Sequence, residues 1–125
     1  MGEKIRYHTD LKAYQLSFNA AMQIFEVTKS FPKEEIYSLT DQIRRSSRSV
    51  CANLSEAWRR RRYRAAFINC LNLAEAEAAE TQVWLSFYKE CNYLSDWQSD
   101  SLSQIYDHVL GIIVTMIKNP GKWIL

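Results

Sequence analysis

The sequence predicts an all-α protein, an antiparallel up-down-up-down four-helix bundle, on three observations. Glycine and proline are rare, with three Gly and two Pro in 125 residues, whereas folds with many tight turns need more of both. Four segments repeat apolar side chains at the helical period, with turn or capping residues between them. The length and the 47% apolar composition fit one domain with a buried core, spanning residues 1–125.

The first two helices are predicted near residues 10–29 and 33–58. Asp10 is a favourable cap for helix one, and Phe31-Pro32 ends that helix because the residue before proline avoids the helical region. Pro32 then suits the first turn of helix two. The predicted core face of helix one is Leu11, Tyr14, Phe18, Ala21, Met22 and Phe25. The predicted core face of helix two is Leu39, Ile43, Ser46, Val50, Leu54 and Ala57.

The last two helices are predicted near residues 64–92 and 96–118. The main stripe of helix three is Phe67, Leu71, Ala74, Ala78 and Leu85. Trp84 and Phe87 lie off that stripe, which indicates either a second helix neighbour or a subunit interface. Ser95 and Gln98 resemble a capping box, and residues 119–121 end helix four. The apolar tail at residues 122–125 is expected to dock on the bundle.

Positive charge is concentrated in the first half of the chain. Residues 1–64 carry 13 Lys/Arg and 7 Asp/Glu, a net charge of +6, whereas residues 65–125 carry 3 and 7, a net charge of −4. The densest part runs from Arg44 to Arg64, with eight arginines and only Glu56 as an acid. Such asymmetry favours a polyanionic partner, or an assembly in which unlike faces meet.

We interpret the arginine-rich run as a candidate nucleic-acid-binding site. The arginine fork matches phosphate oxygens, and several arginines neutralise several phosphates at once. Trp58 and Tyr63 flank the run and can stack on unpaired bases. The candidate residues are Arg44, Arg48, Arg59, Arg60, Arg61, Arg62, Arg64, Trp58 and Tyr63. Two alternatives remain: pairing with acids on helix three or on a neighbouring subunit, and binding to a membrane surface.

The remaining polar residues predict structure rather than catalysis. Amides and carboxylates at the margin of helix two need partners, and the predicted structural polar network is Gln42, Arg45, Asn53, Glu56 and Glu80. The acidic residues Glu75, Glu77 and Glu80 lack a nearby His, so salt bridges to helix-two arginines are favoured over a metal site. Nothing singles out a nucleophile–base pair for Cys51 or Cys70, which are expected to be buried thiols. We therefore predict no enzyme activity, cofactor or metal, and a hidden Cys/His hydrolase is the weakest alternative.

Cysteine use and hydropathy indicate a cytoplasmic protein. The three cysteines are an odd number without C-x-x-C spacing, which argues against a disulfide framework or a zinc site and fits a reducing compartment. No apolar run approaches the roughly 18 residues of a membrane span, and the N-terminus lacks an apolar signal core. Neither a membrane span nor a signal peptide is predicted.

Three segments resemble a known family. Residues 31–46 read FPKEEIYSLTDQIRRS, similar to F-P-x-x-E-x-y-x-L-x-x-Q-I-R-R-A. Residues 49–56 are similar to S-I-x-x-N-I-A-E, and residues 73–82 are similar to I-A-x-G-S-x-x-E, followed by Tyr93-Leu94. These are motifs of the four-helix-bundle proteins encoded in intervening sequences of bacterial 23S rRNA genes. The resemblance spans roughly residues 10–118, with Ala57 and Ala76 in place of two family glycines.

The resemblance implies a fold and an assembly. The family includes accessory proteins of diversity-generating retroelements, which form homopentameric rings and assist a reverse transcriptase by binding nucleic acid. We therefore predict a non-catalytic homo-oligomer, with a pentamer favoured, that binds RNA or DNA mainly through phosphate contacts and assists a reverse transcriptase. The alternative is a protein–protein scaffold of the 23S rRNA intervening-sequence type without direct nucleic-acid contact.

Overall fold

The computed structural model describes residues 4–125, which contain four α-helices and no β-strand. The helices are α1 (Lys12–Thr28), α2 (Leu39–Arg59), α3 (Arg64–Glu90) and α4 (Asp96–Lys118). Short 3-10 turns lie at His8–Asp10, Lys33–Glu35 and Pro120–Lys122. The predicted all-α class with four helices is confirmed.

The ends of α3 and α4 follow the local sequence signals. Asn92 adopts a left-handed conformation with φ of 61°, a common way to end a helix. The Ser95 hydroxyl accepts a hydrogen bond from the Gln98 amide, and the Gln98 side chain accepts one from the Ser95 amide, each at 3.0 Å. This is the predicted capping box. The tail docks as predicted, with Trp123 and Ile124 half-buried against the core.

The predicted start of helix two is wrong by six residues. A 3-10 turn follows Pro32, and α2 begins only at Leu39 because the Ser38 backbone (φ −129°, ψ −104°) leaves the helical region. Glu35 accepts hydrogen bonds from the hydroxyls of Ser38 and Tyr93. This tertiary contact holds the separate turn, and the hydrogen bond to Glu35 raises the pKa of Tyr93 to about 12.

The predicted core face of helix one is wrong for Phe18 and Met22, whereas Leu11 is buried and Tyr14 is half-buried against the core. Phe18 and Met22 are 50% and 46% exposed. The buried side of α1 is instead a row of mostly small residues: Ala13, Ser17, Ala20, Ile24 and Thr28. Small side chains allow close helix approach, so α1 packs through them and leaves its large side chains outside.

Asp10 does not cap α1 directly. Its carboxylate accepts hydrogen bonds from the amides of Arg6 (2.9 Å) and Tyr7 (3.1 Å) and thereby closes the 3-10 turn. Leu11 is the residue immediately before α1. The predicted boundary near residue 10 therefore stands, but Asp10 stabilises the preceding turn.

The core lies between the four helices, each of which contacts two others: α1 and α3 both pack against α2 and α4. The predicted core face of α2 is buried except for half-buried Leu39, and the main stripe of α3 is fully buried. Polar contacts link neighbouring helices inside the core. Ser46 and Thr81 share a 2.8 Å hydrogen bond between α2 and α3, and the Tyr88 hydroxyl donates to the Leu39 carbonyl.

In residues 4–125 no helix combines the length and apolar character needed to span a bilayer.

Candidate nucleic-acid interface

The eight arginines between Arg44 and Arg64 form two groups along α2, together called the basic surface. Arg44, Arg45 and Arg48 lie near the start of the helix, while the others lie at its end, in the following turn and at the first residue of α3. The rise of 1.5 Å per residue places Arg44 and Arg59 about 22 Å apart along the helix. Arg48, Ser55 and Arg59 fall on one side of the helix at its 100° spacing. The two groups therefore belong to one exposed ridge.

Solvent-exposed guanidinium groups dominate the C-terminal end of this ridge. Arg59, Arg60, Arg62 and Arg64 are all exposed. Arg61 is the exception, because its guanidinium carbon lies 3.4 Å from the Trp58 ring centre and its Nε donates to the Trp58 carbonyl at 2.7 Å. Burial and the neighbouring Arg59 charge lower the pKa of Arg61. This end therefore presents four exposed cations and one that is held on an aromatic ring.

The predicted base-stacking role of Trp58 is wrong, because its side chain is buried. Trp58 is only 5% exposed and belongs to the hydrophobic core, with Arg61 stacked on it. Its ring closes this end of the fold and has no free face for a base. Tyr63 is 64% exposed and keeps the geometry needed for stacking.

The N-terminal end of the ridge is organised around Phe25. The guanidinium carbons of Arg44 and Arg48 lie 4.9 and 6.0 Å from the ring centre. Arg44 also donates through Nε to the Thr28 hydroxyl at 2.8 Å and through Nη2 to the Phe25 carbonyl at 3.4 Å. These contacts orient Arg44, whereas Arg48 is exposed.

Acidic partners are scarce on the basic surface. Among residues 4–125, Arg45 is the one arginine of the eight with a carboxylate within 4.0 Å, its neighbour Asp41 at 3.8 Å. The salt bridges predicted between helix-two arginines and Glu75, Glu77 or Glu80 do not form within this distance in the described chain. Pairing within the chain therefore does not account for the arginines.

The predicted structural polar network is only partly assembled. Gln42, Arg45 and Glu80 line one polar cleft between α2 and α3, together with Ser46, Ser49 and Glu77. The cleft is a surface feature, since Gln42, Arg45 and Glu80 are exposed. Partial burial and the nearby Glu80 raise the pKa of Glu77, while Arg45 lowers it.

Two members of that network lie elsewhere. Asn53 donates to the carbonyl and hydroxyl of Ser49 on its own helix. Glu56 is exposed. Its charge adds to burial in raising the pKa of the Cys70 thiol, whereas Arg60 lowers that pKa. The buried polar link between α2 and α3 is instead Ser46–Thr81; the sequence placed Ser46 on the core face of helix two but did not predict this pairing.

The thiols have the environments of structural cysteines. Cys51 and Cys70 are buried, as predicted, and Cys91 is exposed. Burial raises the pKa of Cys51 and Cys70, which keeps both in the weakly nucleophilic thiol form. In the described part of the chain, no three His, Cys, Asp or Glu side chains converge as a metal site would require.

We expect a thiol reagent to distinguish these cysteines. Under native conditions, 5,5′-dithiobis(2-nitrobenzoic acid) should react rapidly with one thiol per chain, because Cys91 is exposed and the packed core keeps the reagent from Cys51 and Cys70. In denaturant all three should react. A Cys91→Ser variant is the control and should show almost no fast phase. Rapid native reaction of a second thiol would contradict the buried assignment.

Four residues beside the N-terminal arginines escaped sequence reasoning. Lys29, Lys33, Tyr37 and Thr40 line a pocket with Arg44 and Arg48. The spacing of apolar residues did not predict this pocket, because it placed residues 33–38 within a continuous helix two. The excess of cations between Lys29 and Arg48 is the only sequence feature that points to it.

Two apolar surfaces remain uncovered in the single chain. The α1 aromatic face consists of Tyr14, Phe18, Met22 and Phe25, of which Phe18 and Met22 are about half exposed. The α3 apolar stripe consists of Leu73, Val83 and Phe87, at 47%, 49% and 51% exposure. Large apolar side chains exposed on one helix are typical of interaction sites. The exposure of Phe87 therefore fits the prediction that it lies at a subunit interface.

These features define a class: an all-α, four-helix protein with a basic ridge on its second helix and apolar faces on its first and third. A family model described as 23S rRNA-intervening sequence protein matches residues 9–115. The chain belongs to the family of 23S rRNA-intervening sequence proteins, and the predicted family resemblance is confirmed.

One solved structure is similar to this chain in both fold and sequence. It is a crystal structure, at 1.70 Å resolution, of a protein of unknown function from the S23 ribosomal protein family of Bacteroides thetaiotaomicron VPI-5482. It is 31% identical, the match covers 85% of this chain and 95% of that one, and the TM-score is 0.76. No curated protein matches the chain.

Proposed function

We propose that this protein is a non-catalytic, cytoplasmic accessory protein that binds RNA or DNA through the basic surface. One observation carries the proposal: seven of the eight arginines of the basic surface lie more than 4.0 Å from any carboxylate in residues 4–125. Converging cations repel one another unless an anion joins them. Phosphates spaced along a nucleic-acid strand supply such anions.

The geometry supports backbone contacts over base readout. Arginines spread over about 22 Å of helix can meet several successive phosphates. Phosphate contacts position the partner but carry little sequence information. Tyr63 adds one exposed ring for sequence-tolerant stacking, whereas Trp58 is excluded by its burial. The proposed binding is largely independent of sequence.

The proposal includes assembly into a homo-oligomer. Contacts pair the end of α1 with the start of α2 (Thr28–Arg44) and the end of α3 with the start of α4 (Leu85–Ser99), which supports the up-down-up-down course. The two exposed apolar surfaces lie on α1 and α3, and contact between unlike surfaces of successive copies gives a ring when the rotation between copies closes. Opposite charge on the two halves of the chain favours the same contact. The pentamer number comes from the family resemblance.

The narrower form of the proposal is assistance to a reverse transcriptase. It follows the retroelement branch of the family resemblance. A reverse-transcriptase gene beside the gene for this chain would support it, and a 23S rRNA gene there would favour the other branch. Catalysis is not part of the proposal, because burial holds the Cys51 and Cys70 thiols protonated.

The test is the quadruple variant Arg59→Ala, Arg60→Ala, Arg61→Ala and Arg62→Ala. Binding to a single-stranded RNA is measured by fluorescence anisotropy at several salt concentrations. The slope of log affinity against log salt should become shallower by up to about 3, because each lost phosphate contact on a single strand contributes about 0.7. Circular dichroism and light scattering should show unchanged helicity and oligomer mass.

A matched control replaces lysines away from the basic surface, Lys12→Ala and Lys118→Ala. It should leave the slope almost unchanged. If the arginine variant binds RNA with the parent's affinity and slope, this end of the basic surface is not the site.

A protein–protein scaffold is the second candidate, favoured by the α1 aromatic face and the α3 apolar stripe. The same variant separates the two candidates. If it dissociates into monomers, the arginines lie at a subunit interface and the scaffold is supported.

A further inference from the structure

A second basic feature lies where α1 ends and α2 begins. This α1–α2 pocket has a volume of about 500 Å³. Its charged lining comprises Lys29, Lys33, Arg44, Arg45, Arg48 and Asp41. Five cations against one carboxylate leave a net charge of +4 around a space large enough for a phosphate group and part of a nucleoside.

Arg44 is held ready inside this pocket. Its Nε donates to the Thr28 hydroxyl at 2.8 Å and its Nη2 to the Phe25 carbonyl at 3.4 Å, while its guanidinium lies over the Phe25 ring. Thr28 is itself fixed, because its hydroxyl donates to the Ile24 carbonyl at 2.8 Å. A preoriented guanidinium loses little entropy on binding, and its other N–H groups remain for an anion.

The cations that line the pocket outnumber the carboxylates that pair with them. Lys29 Nζ lies 4.8 Å from the centre of the same Phe25 ring. Lys29 pairs with Glu26 at 3.2 Å and Arg45 with Asp41 at 3.8 Å. Lys33, Arg44 and Arg48 have no carboxylate within 4.0 Å in residues 4–125. A bound anion would relieve this repulsion.

Two uncharged residues add a hydroxyl group and an aromatic ring to the charged lining of the pocket. Thr40 lines the pocket, is only 4% exposed, and its hydroxyl has no hydrogen-bond partner among the described residues. Such unsatisfied buried groups are uncommon in folded proteins. Tyr37 also lines the pocket and is 94% exposed, so both faces of its ring are open to a base.

We propose that the α1–α2 pocket binds a nucleotide unit, with the phosphate held by Arg44, Arg48 and Lys33 and the base stacked on Tyr37. That the nucleotide belongs to a nucleic-acid strand rests on the proposed function. It adds a defined phosphate site about 22 Å along α2 from the arginines of the turn. The nucleotide is either part of a strand or free, and separate measurements distinguish these sources.

The first measurement uses adenosine 5′-monophosphate, inorganic phosphate and adenosine as probes of the full chain. The Arg44 Nε–Hε signal in a 15N-correlated NMR spectrum reports binding, and its loss in Arg44→Lys assigns it. Adenosine 5′-monophosphate and inorganic phosphate should shift the signal, and adenosine should not. Lys33→Glu with Arg48→Glu should weaken both phosphate probes at least tenfold, whereas the control Lys118→Glu should have no effect.

Tyrosine substitution separates stacking from simple ion binding. Tyr37→Ala should weaken adenosine 5′-monophosphate about tenfold, in the range for loss of one aromatic–base stack, and leave inorganic phosphate unchanged. Tyr7→Ala is the matched control, since Tyr7 is 65% exposed and lies outside the pocket. Equal effects of Tyr37→Ala on both probes would overturn the stacking assignment.

The second measurement uses a fluorescein-labelled single-stranded 12-mer. A tenfold or greater loss of affinity in the Lys33→Glu, Arg48→Glu variant supports strand binding at the pocket. Unchanged affinity in that variant, with loss in the Arg59–Arg62 variant, overturns the pocket and leaves the proposed function standing. If adenosine 5′-monophosphate shifts Arg44 but the native protein does not bind the 12-mer, the pocket holds a free nucleotide and the proposed function fails.

One further outcome identifies a different occupant. The acidic residues of α3 on another copy of the chain carry charge that also complements the pocket. If the Lys33→Glu, Arg48→Glu variant becomes monomeric and no phosphate probe shifts Arg44 in the native protein, the pocket belongs to a subunit interface. That result overturns the nucleotide site.

Discussion

Replacing Ile43 with alanine is expected to lower the free energy of unfolding by about 2–5 kcal/mol. Ile43 is completely buried on α2, and alanine would lose its apolar contacts and leave a cavity among rigid helices. Urea denaturation followed by circular dichroism, at one protein concentration, measures the change. The loss is large because small domains have only about 5–15 kcal/mol of stability in total.

Ile36→Ala is the matched control for this experiment. Ile36 lies in the segment between α1 and α2 and is 47% exposed, so the same chemical change should cost less than about 1 kcal/mol. Equal losses for the two variants would show that Ile43 is not in a tightly packed core.

Introducing charge into the α3 apolar stripe is expected to dissociate the proposed oligomer. The double variant Val83→Asp and Phe87→Asp places two carboxylates on side chains that are about half exposed in the single chain. Burying unpaired carboxylates in an interface costs several kcal/mol, whereas on a free surface they are solvated. Multi-angle light scattering should show the mass falling to the 14.7 kDa of one chain.

Trp97→Asp is the control for the stripe. Trp97 is 76% exposed near the start of α4 and lies outside both apolar surfaces. This variant should keep the parent mass and helicity. A native protein that already has the mass of one chain at micromolar concentration would contradict the proposed assembly directly.

The face of α1 shows how sequence periodicity can select the wrong side of a helix. Tyr14, Phe18, Met22 and Phe25 carry most of the apolar area of α1, so hydrophobicity alone assigned them to the core. Ala13, Ser17 and Ala20 are buried instead because their small size lets α1 approach its neighbours. Large apolar side chains fit between two helices only when the helices are far enough apart. The distance between helices cannot be read from a single sequence.

The beginning of α2 depended on contacts from distant parts of the chain. Pro32 is compatible with a helix start, but Glu35 bonds to Tyr93, which lies 58 positions later in the sequence. That contact, together with the Ser38 backbone, separates the turn from α2. The separation brings Lys33 and Tyr37 beside Arg44 and forms the pocket.

By itself the sequence determined the all-α class, the four helices, the ends of α3 and α4, the core faces of α2 and α3 and the family. These properties depend on local spacing, capping residues and motif order, which are readable along the chain. Only the tertiary structure decided that Trp58 is buried, that α1 turns its aromatic face outward, and that Thr40 and Tyr37 join the arginines in one pocket. The physical reason is that burial and convergence depend on the distances between helices, which packing sets and local sequence does not encode.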